Sequence, residues 1–105
     1  AKDGHRCLCA TNGQEALRLF RDSQPDLIIL DVMMPVLDGF QVCERIREHD
    51  RITPVLFLTA KGDIVDKRIG YGIGGDDYLV KPFSGEELRL RVGALCVARK
   101  LRRRP

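Results

Sequence analysis

Three short runs of the chain are apolar without interruption: Leu27-Ile28-Ile29-Leu30, Val55-Leu56-Phe57-Leu58 and Tyr78-Leu79-Val80. Continuous rather than alternating hydrophobicity over so few residues is the pattern of strands buried on both faces, as in a parallel sheet covered by helices. A fourth run, His5–Ala10, alternates in part and reads as a strand near a sheet edge. Between these runs the apolar positions fall at helical spacing: Ala16, Leu17 and Phe20; Val42, Cys43 and Ile46; Val65, Ile69 and Ile73; Leu88, Val92 and Leu95. Asn12 with Glu15, Asp38 with Gln41 and Ser84 with Glu87 stand where capping boxes would open helices, and Phe83 with Leu88 where a hydrophobic staple would pin the start of the last one. The third helical segment carries Gly70, Gly72 and Gly74, each costing about 1 kcal/mol relative to alanine, so it is expected to be the least stable.

Strands alternating with helices imply βαβ units and an α/β fold built on a parallel sheet. Such sheets bind ligands just outside the carboxyl ends of their strands. Asp31, Thr59 and Lys81 end three consecutive strands on that edge. Taken singly they read as a solvated acid, a strand-terminating hydroxyl and a surface charge. Together they are a nucleophile or metal ligand, a hydroxyl donor and a cation.

Length changes the picture little: 105 residues make one small domain with a single core. No apolar run approaches the roughly 20 residues that cross a bilayer, and residues 1–4 do not resemble a signal peptide. A cytoplasmic protein with no membrane partner is the expectation. The net charge of +3 is local. Arg99, Lys100, Arg102, Arg103 and Arg104 account for five of the eighteen basic residues, leaving thirteen against fifteen acids in the body. Residues 98–105 therefore read as a basic helix end or linker following a domain of residues 1–97, rather than as a nucleic-acid contact. Cys7, Cys9, Cys43 and Cys96 lack the second spaced pair of a structural zinc site and read as reduced, small apolar residues.

Asp31-Val32-Met33-Met34-Pro35, Asp38-Gly39, Leu58-Thr59-Ala60 and Asp76-Asp77-Tyr78-Leu79-Val80-Lys81-Pro82-Phe83 together resemble the receiver domain of two-component response regulators. The resemblance runs from about Gly4 to Leu95. It implies a flavodoxin-like (CheY-like) parallel sheet with helices on both faces, and a phosphoacceptor signalling domain rather than an enzyme. Asp31 would take a phosphoryl group from a sensor histidine kinase. Lys81, joined to Pro82 by a cis peptide, would bind a phosphoryl oxygen, and Thr59 another. Thr59 and Tyr78 would be the switch, Tyr78 turning inward behind the threonine. Mg²⁺ would sit on Asp31 and the backbone carbonyl of Met33, and Met33 and Lys61 would flank the phosphoryl group. Glu86–Val92 and the basic end are similar to the OmpR/PhoB-like transcription regulators. That similarity implies homodimerisation through the switching face, and DNA contact only through an effector domain outside this sequence. Gly72 stands where the family often has an acid in the dimerisation helix.

One departure bears on function. The family opens with a further strand and helix, whose loop carries an acidic pair for Mg²⁺, and residues 1–4 cannot hold them. The expectation is thus an N-terminally truncated receiver with weak or no Mg²⁺ binding, part of a longer protein. The alternative is a pseudo-receiver interaction module that is not phosphorylated. Asp3, Asp26, Asp76 and Asp77 fall on the opposite sheet edge and do not replace the pair. The strands at His5–Ala10 and Leu27–Leu30 must then pair directly or leave a gap. Two rival classes are excluded. A haloacid-dehalogenase phosphatase needs an acid two residues after Asp31, where Met33 stands. The Gly70-x-Gly72-x-x-Gly75 match to a dinucleotide fingerprint closes a helix instead of opening one.

Overall fold

A computed structural model describes residues 7–10, 12–34, 37–60, 72 and 74–102. The helix expected over 63–73, apart from Gly72, lies outside the described residues, as do Asp3, Pro35 and Lys61. Four strands, β1 (Cys7–Cys9), β2 (Leu27–Asp31), β3 (Val55–Ala60) and β4 (Asp77–Lys81), form one parallel sheet in the order β1-β2-β3-β4. Helices α1 (Gly13–Ser23), α2 (Gly39–Arg47) and α3 (Gly85–Arg102) complete the described elements. β1 and β2 pair directly, Cys7 beside Leu27, so the sheet has no gap between them.

The caps form largely as the sequence requires. Asn12 Oδ1 accepts from Glu15 N at 2.9 Å, and Asp38 and Gln41 form a reciprocal capping box. Ser84 Oγ accepts from Glu87 N at 3.0 Å. α1 ends on Gln24, whose left-handed φ of 47° returns its N–H to Phe20 O.

Strand alternation divides the core in two. Ile28, Leu30, Val55, Phe57 and Tyr78 face Ala16 of α1 and Val42, Cys43 and Ile46 of α2. Leu27, Leu56 and Leu79 face Val92, Leu95 and Cys96 of α3. Full burial of each such side chain is worth about 1.5–3 kcal/mol. The expectation of burial on both faces of β2 holds for Leu27, Ile28 and Leu30 but not for Ile29, which is half-buried. Ile29 faces the layer that a single described helix covers.

α3 runs to Arg102, so residues 98–102 are helical. Arg99 turns back to the sheet, its Nη2 3.4 Å from Asp26 Oδ1 at the amino edge. The same edge holds a second cross-link. Arg47 donates from Nε to Gly74 O, from Nη1 to Asp50 O and from Nη2 to Asp76 Oδ2. That Asp76 oxygen also accepts from Val55 N at 2.9 Å. The Arg47 and Asp76 side chains are 11% and 9% exposed, so this pair is almost wholly removed from water. Gly74 has φ 103°, and a Cβ there would lie 2.7 Å from Arg47 Nε; the arginine can reach the carbonyl only past a glycine.

Candidate functional site

Three strand ends meet at the carboxyl edge. β2 stops at Asp31, which lies beside Leu58 of β3; two residues on, Ala60 lies beside Lys81, the last residue of β4. Lys81 Nζ donates to Asp31 Oδ2, and the other carboxylate oxygen accepts from Met33 N at 3.0 Å. The acid is therefore aimed and neutralised at once: a cation holds one oxygen and a backbone amide the other. Both charged side chains remain part-exposed, so the pair is open to a ligand from solvent. The Lys81–Pro82 peptide is cis, as expected.

Thr59 is one residue before the end of β3 and beside Val80. It is only 4% exposed, and among the described residues its Oγ1 has no hydrogen-bond partner. A buried hydroxyl left in that state costs about 1–3 kcal/mol. Such an orphan at a strand end calls for an explanation. Tyr78, two residues before Val80, is buried, with its ring 5.2 Å from Phe57 and 6.5 Å from Phe40. Alternation puts Thr59 and Tyr78 on the α1–α2 side of the sheet and Asp31 and Lys81 on the α3 side. The site thus straddles the sheet edge.

Sequence reasoning singled out these four residues and gave no role to the two glycines that position them. A Cβ on Gly39 would lie 2.6 Å from Asp31 O and 3.1 Å from the Val32 Cα. The start of α2 packs directly against the backbone that carries the acid, and Gly39 N donates to Val32 O at 3.1 Å. On the other side of the loop, a Cβ on Gly13 would lie 2.3 Å from Leu37 Cβ. The Asp38-Gly39 dipeptide was a usable signal for the first of these. Nothing in the sequence near Gly13 distinguishes it from an ordinary residue after a cap.

The described residues do not fit a divalent metal well. Among them no group of three His, Cys, Asp or Glu side chains could hold an ion. Asp31 is the one carboxylate of the Asp31–Lys81 pair, and its Oδ2 is already held by Lys81. Asp26, Asp76 and Asp77 are engaged elsewhere by Arg99, Arg47 and Arg91. Mg²⁺ takes oxygen ligands in strict octahedral geometry, and one neutralised carboxylate is a poor start. Met33, expected to flank the site, is exposed there.

Comparison with known proteins converges on one group. The model of the response regulator receiver domain matches residues 1–93. The chain is 47% identical over 94 residues to the transcriptional regulatory protein AfsQ1 of Streptomyces coelicolor, an overlap of 90% of this chain and 41% of AfsQ1. It is 45% identical over 94 residues to the alkaline phosphatase synthesis transcriptional regulatory protein PhoP of Bacillus subtilis, covering 90% of this chain and 39% of PhoP. The chain thus spans about two-fifths of the length of these curated relatives. The structure of the receiver domain of the Francisella response regulator 1452 superposes with a TM-score of 0.74 at 42% identity, covering 84% of this chain and 73% of that one.

Proposed function

The chain belongs to the response regulator receiver domain family, and from that membership we propose that Asp31 is its phosphoacceptor, loaded from a phosphohistidine of a sensor histidine kinase. An Asp31 carboxylate oxygen forms the new bond to phosphorus as the phosphorus–nitrogen bond breaks. The bonding pair leaves with the imidazole nitrogen, which is then protonated by solvent. A carboxylate is a weak nucleophile, so positioning and neutralisation of charge carry the step. Lys81 exchanges its contact with Asp31 for a phosphoryl oxygen, and Thr59 Oγ1 donates to a second. Thr59 and Tyr78 form the switch, signalling to the surface of β4 and α3.

The observation that carries this reading is the unpaired, buried Thr59 hydroxyl at the same edge as the Asp31–Lys81 pair. The relatives named as transcriptional regulators extend the reading to control of transcription, with DNA contacted by an effector region outside these residues. Of the Mg²⁺ ligands the family implies, this chain offers Asp31 and the Met33 carbonyl, and weak affinity is the expected result of a titration. A second reading is a pseudo-receiver that binds a partner without phosphorylation.

Incubation with acetyl phosphate, or with a phosphorylated histidine kinase, in the presence of Mg²⁺ separates the two. Intact mass is expected to rise by one phosphoryl group in a chain extended by the family's opening strand and helix, and to stay unchanged in its Asp31→Asn variant. No label on that extended chain from either donor at saturating Mg²⁺ would leave only the pseudo-receiver.

A further inference from the structure

At the amino edge of the sheet, opposite the edge that carries Asp31, the ends of three helices leave open space. A cleft of about 410 Å³ lies between Gln24 and Pro25 after α1, Asp50 and Thr53 after α2, and Arg99 of α3. A second, of about 440 Å³, runs between α1 and α2 over Leu17 and Ile46, with Arg45 and Glu48 exposed beside it. Phe20, Arg21 and His49 line both, so the two are halves of one groove. Each half falls within the roughly 300–1,000 Å³ of small-molecule sites.

The halves differ in chemistry. Half-buried Leu17 and Phe20 and buried Ile46 give the second an apolar floor. The first holds a buried donor: Arg99 turns Nη2 to Asp26, but its Nε is buried and has no hydrogen-bond partner among the described residues. Burying a guanidinium N–H without an acceptor is unfavourable, and this guanidinium stands in the wall of the cleft. Arg21 and His49 are exposed where the halves join.

The negative groups nearby are mostly engaged. Asp50 Oδ1 accepts from Ile52 N and Thr53 N, and its Oδ2 from Thr53 Oγ1. Asp26 faces Arg99. Helix carboxyl ends disfavour anions, but Phe20 O accepts from Gln24 N, and Ile46 O from His49 N and Asp50 N. The groove therefore offers a ligand donors on Arg21, His49 and Arg99, with Glu48 the exposed acid on the apolar half. One buried N–H flanked by two exposed donors suits a head group with a single negative charge.

We propose that this groove binds a monocarboxylic acid with an apolar tail. The tail lies between α1 and α2 on Leu17, Phe20 and Ile46, and the carboxylate accepts from Arg99 Nε with Arg21 and His49 beside it. The site is separate from the Asp31 edge, so it stands or falls independently of phosphoryl chemistry there.

Titration of the ¹⁵N-labelled 105-residue chain with decanoate, followed by amide chemical shifts, tests this. Saturable shifts confined to residues 17–24, 45–53 and the surroundings of Arg99 are expected, with a dissociation constant on the order of 0.1–1 mM. Acetate, which lacks the tail, and decyltrimethylammonium, which reverses the charge, should bind at least about tenfold more weakly. Arg21→Glu/His49→Glu, at two exposed positions, should weaken decanoate by about tenfold with unchanged circular dichroism. Arg99→Lys, which keeps a cation near Asp26 but removes Nε, should weaken it several-fold. Equal binding of the cationic amphiphile, shifts centred on another surface, or indifference to the double glutamate variant overturns the proposal. Shifts at the same amides on dilution of the unliganded chain would place a second copy in the groove, and overturn it likewise.

Discussion

Replacing Thr59 by valine should make this protein more stable. The two side chains have nearly the same shape, so the substitution removes the hydroxyl and little else. Thr59 is 4% exposed and its Oγ1 is unpaired among the described residues, so the folded state carries most of the desolvation cost of that group. That cost is about 1–3 kcal/mol from protein data, and the methyl that replaces the hydroxyl adds up to about 0.8 kcal/mol of apolar burial. Allowing for imperfect repacking, a net gain of about 1–2 kcal/mol is expected. In urea, with a slope of about 1–2 kcal/mol per molar for a domain of this size, the midpoint should rise by roughly 1 M. The thermal midpoint should rise by about 4–8 °C per kcal/mol. Thr59→Ser is the control, keeping the hydroxyl and losing a buried methyl, and it should be destabilised by about 1 kcal/mol. Opposite signs at one position cannot come from a general loosening of the strand. A neutral or destabilised valine variant would show that the hydroxyl has a partner in the folded protein, and the argument from an orphan would fail. On the proposed function the valine variant still accepts a phosphoryl group but does not switch, a stability gain bought with activity.

Asp76→Ala should cost about 3–5 kcal/mol in urea unfolding, because it strands the Arg47 guanidinium and the Val55 amide where water barely reaches; Arg47→Met/Asp76→Ala should recover part of that. Gly39→Ala should lose about 1–3 kcal/mol and slow labelling at Asp31, since the new methyl would stand 2.6 Å from the Asp31 carbonyl oxygen. Burial works against the charged form of Asp50, but hydrogen bonds from Thr53 Oγ1, Thr53 N and Ile52 N outweigh it and hold the carboxyl below its ordinary value of 3.8. Its contribution to stability is therefore complete above that value and lost as pH falls below it through the folded one. The slope of stability against pH in that window should flatten in Asp50→Ala. Burial pushes the Cys43 thiol up to about 11, ahead of the opposing Arg47 charge, so iodoacetamide at neutral pH should modify it only as fast as the protein unfolds.

Much of the frame is visible in local pattern. The continuous apolar runs locate β2, β3 and β4 because burial on both faces leaves no room for polar residues, and the caps of α1, α2 and α3 follow from short-range hydrogen-bond chemistry. Asp31, Thr59 and Lys81 are legible because parallel connections bring all strand ends to one edge. What pattern cannot supply is contact between residues far apart in the chain. Arg47 and Asp76 are 29 residues apart, and either alone reads as surface charge. Arg99 reads as part of a basic tail until α3 is seen to carry it back to Asp26. The steric need for glycine at positions 13 and 39 depends on how closely two segments cross, a quantity set by packing and not by composition.

The short strand β1 has a consequence for motion. It contributes three residues to the sheet and, among the described residues, bonds to one neighbour only, whereas β3 is held on both sides. Local opening of an edge with so few ladder bonds needs far less free energy than global unfolding. Amide protons of Cys7–Cys9 should therefore exchange with solvent deuterium well before those of Val55–Phe57. The protein should fray from its first strand inward, leaving β3, which is held on both sides, among the last parts to open.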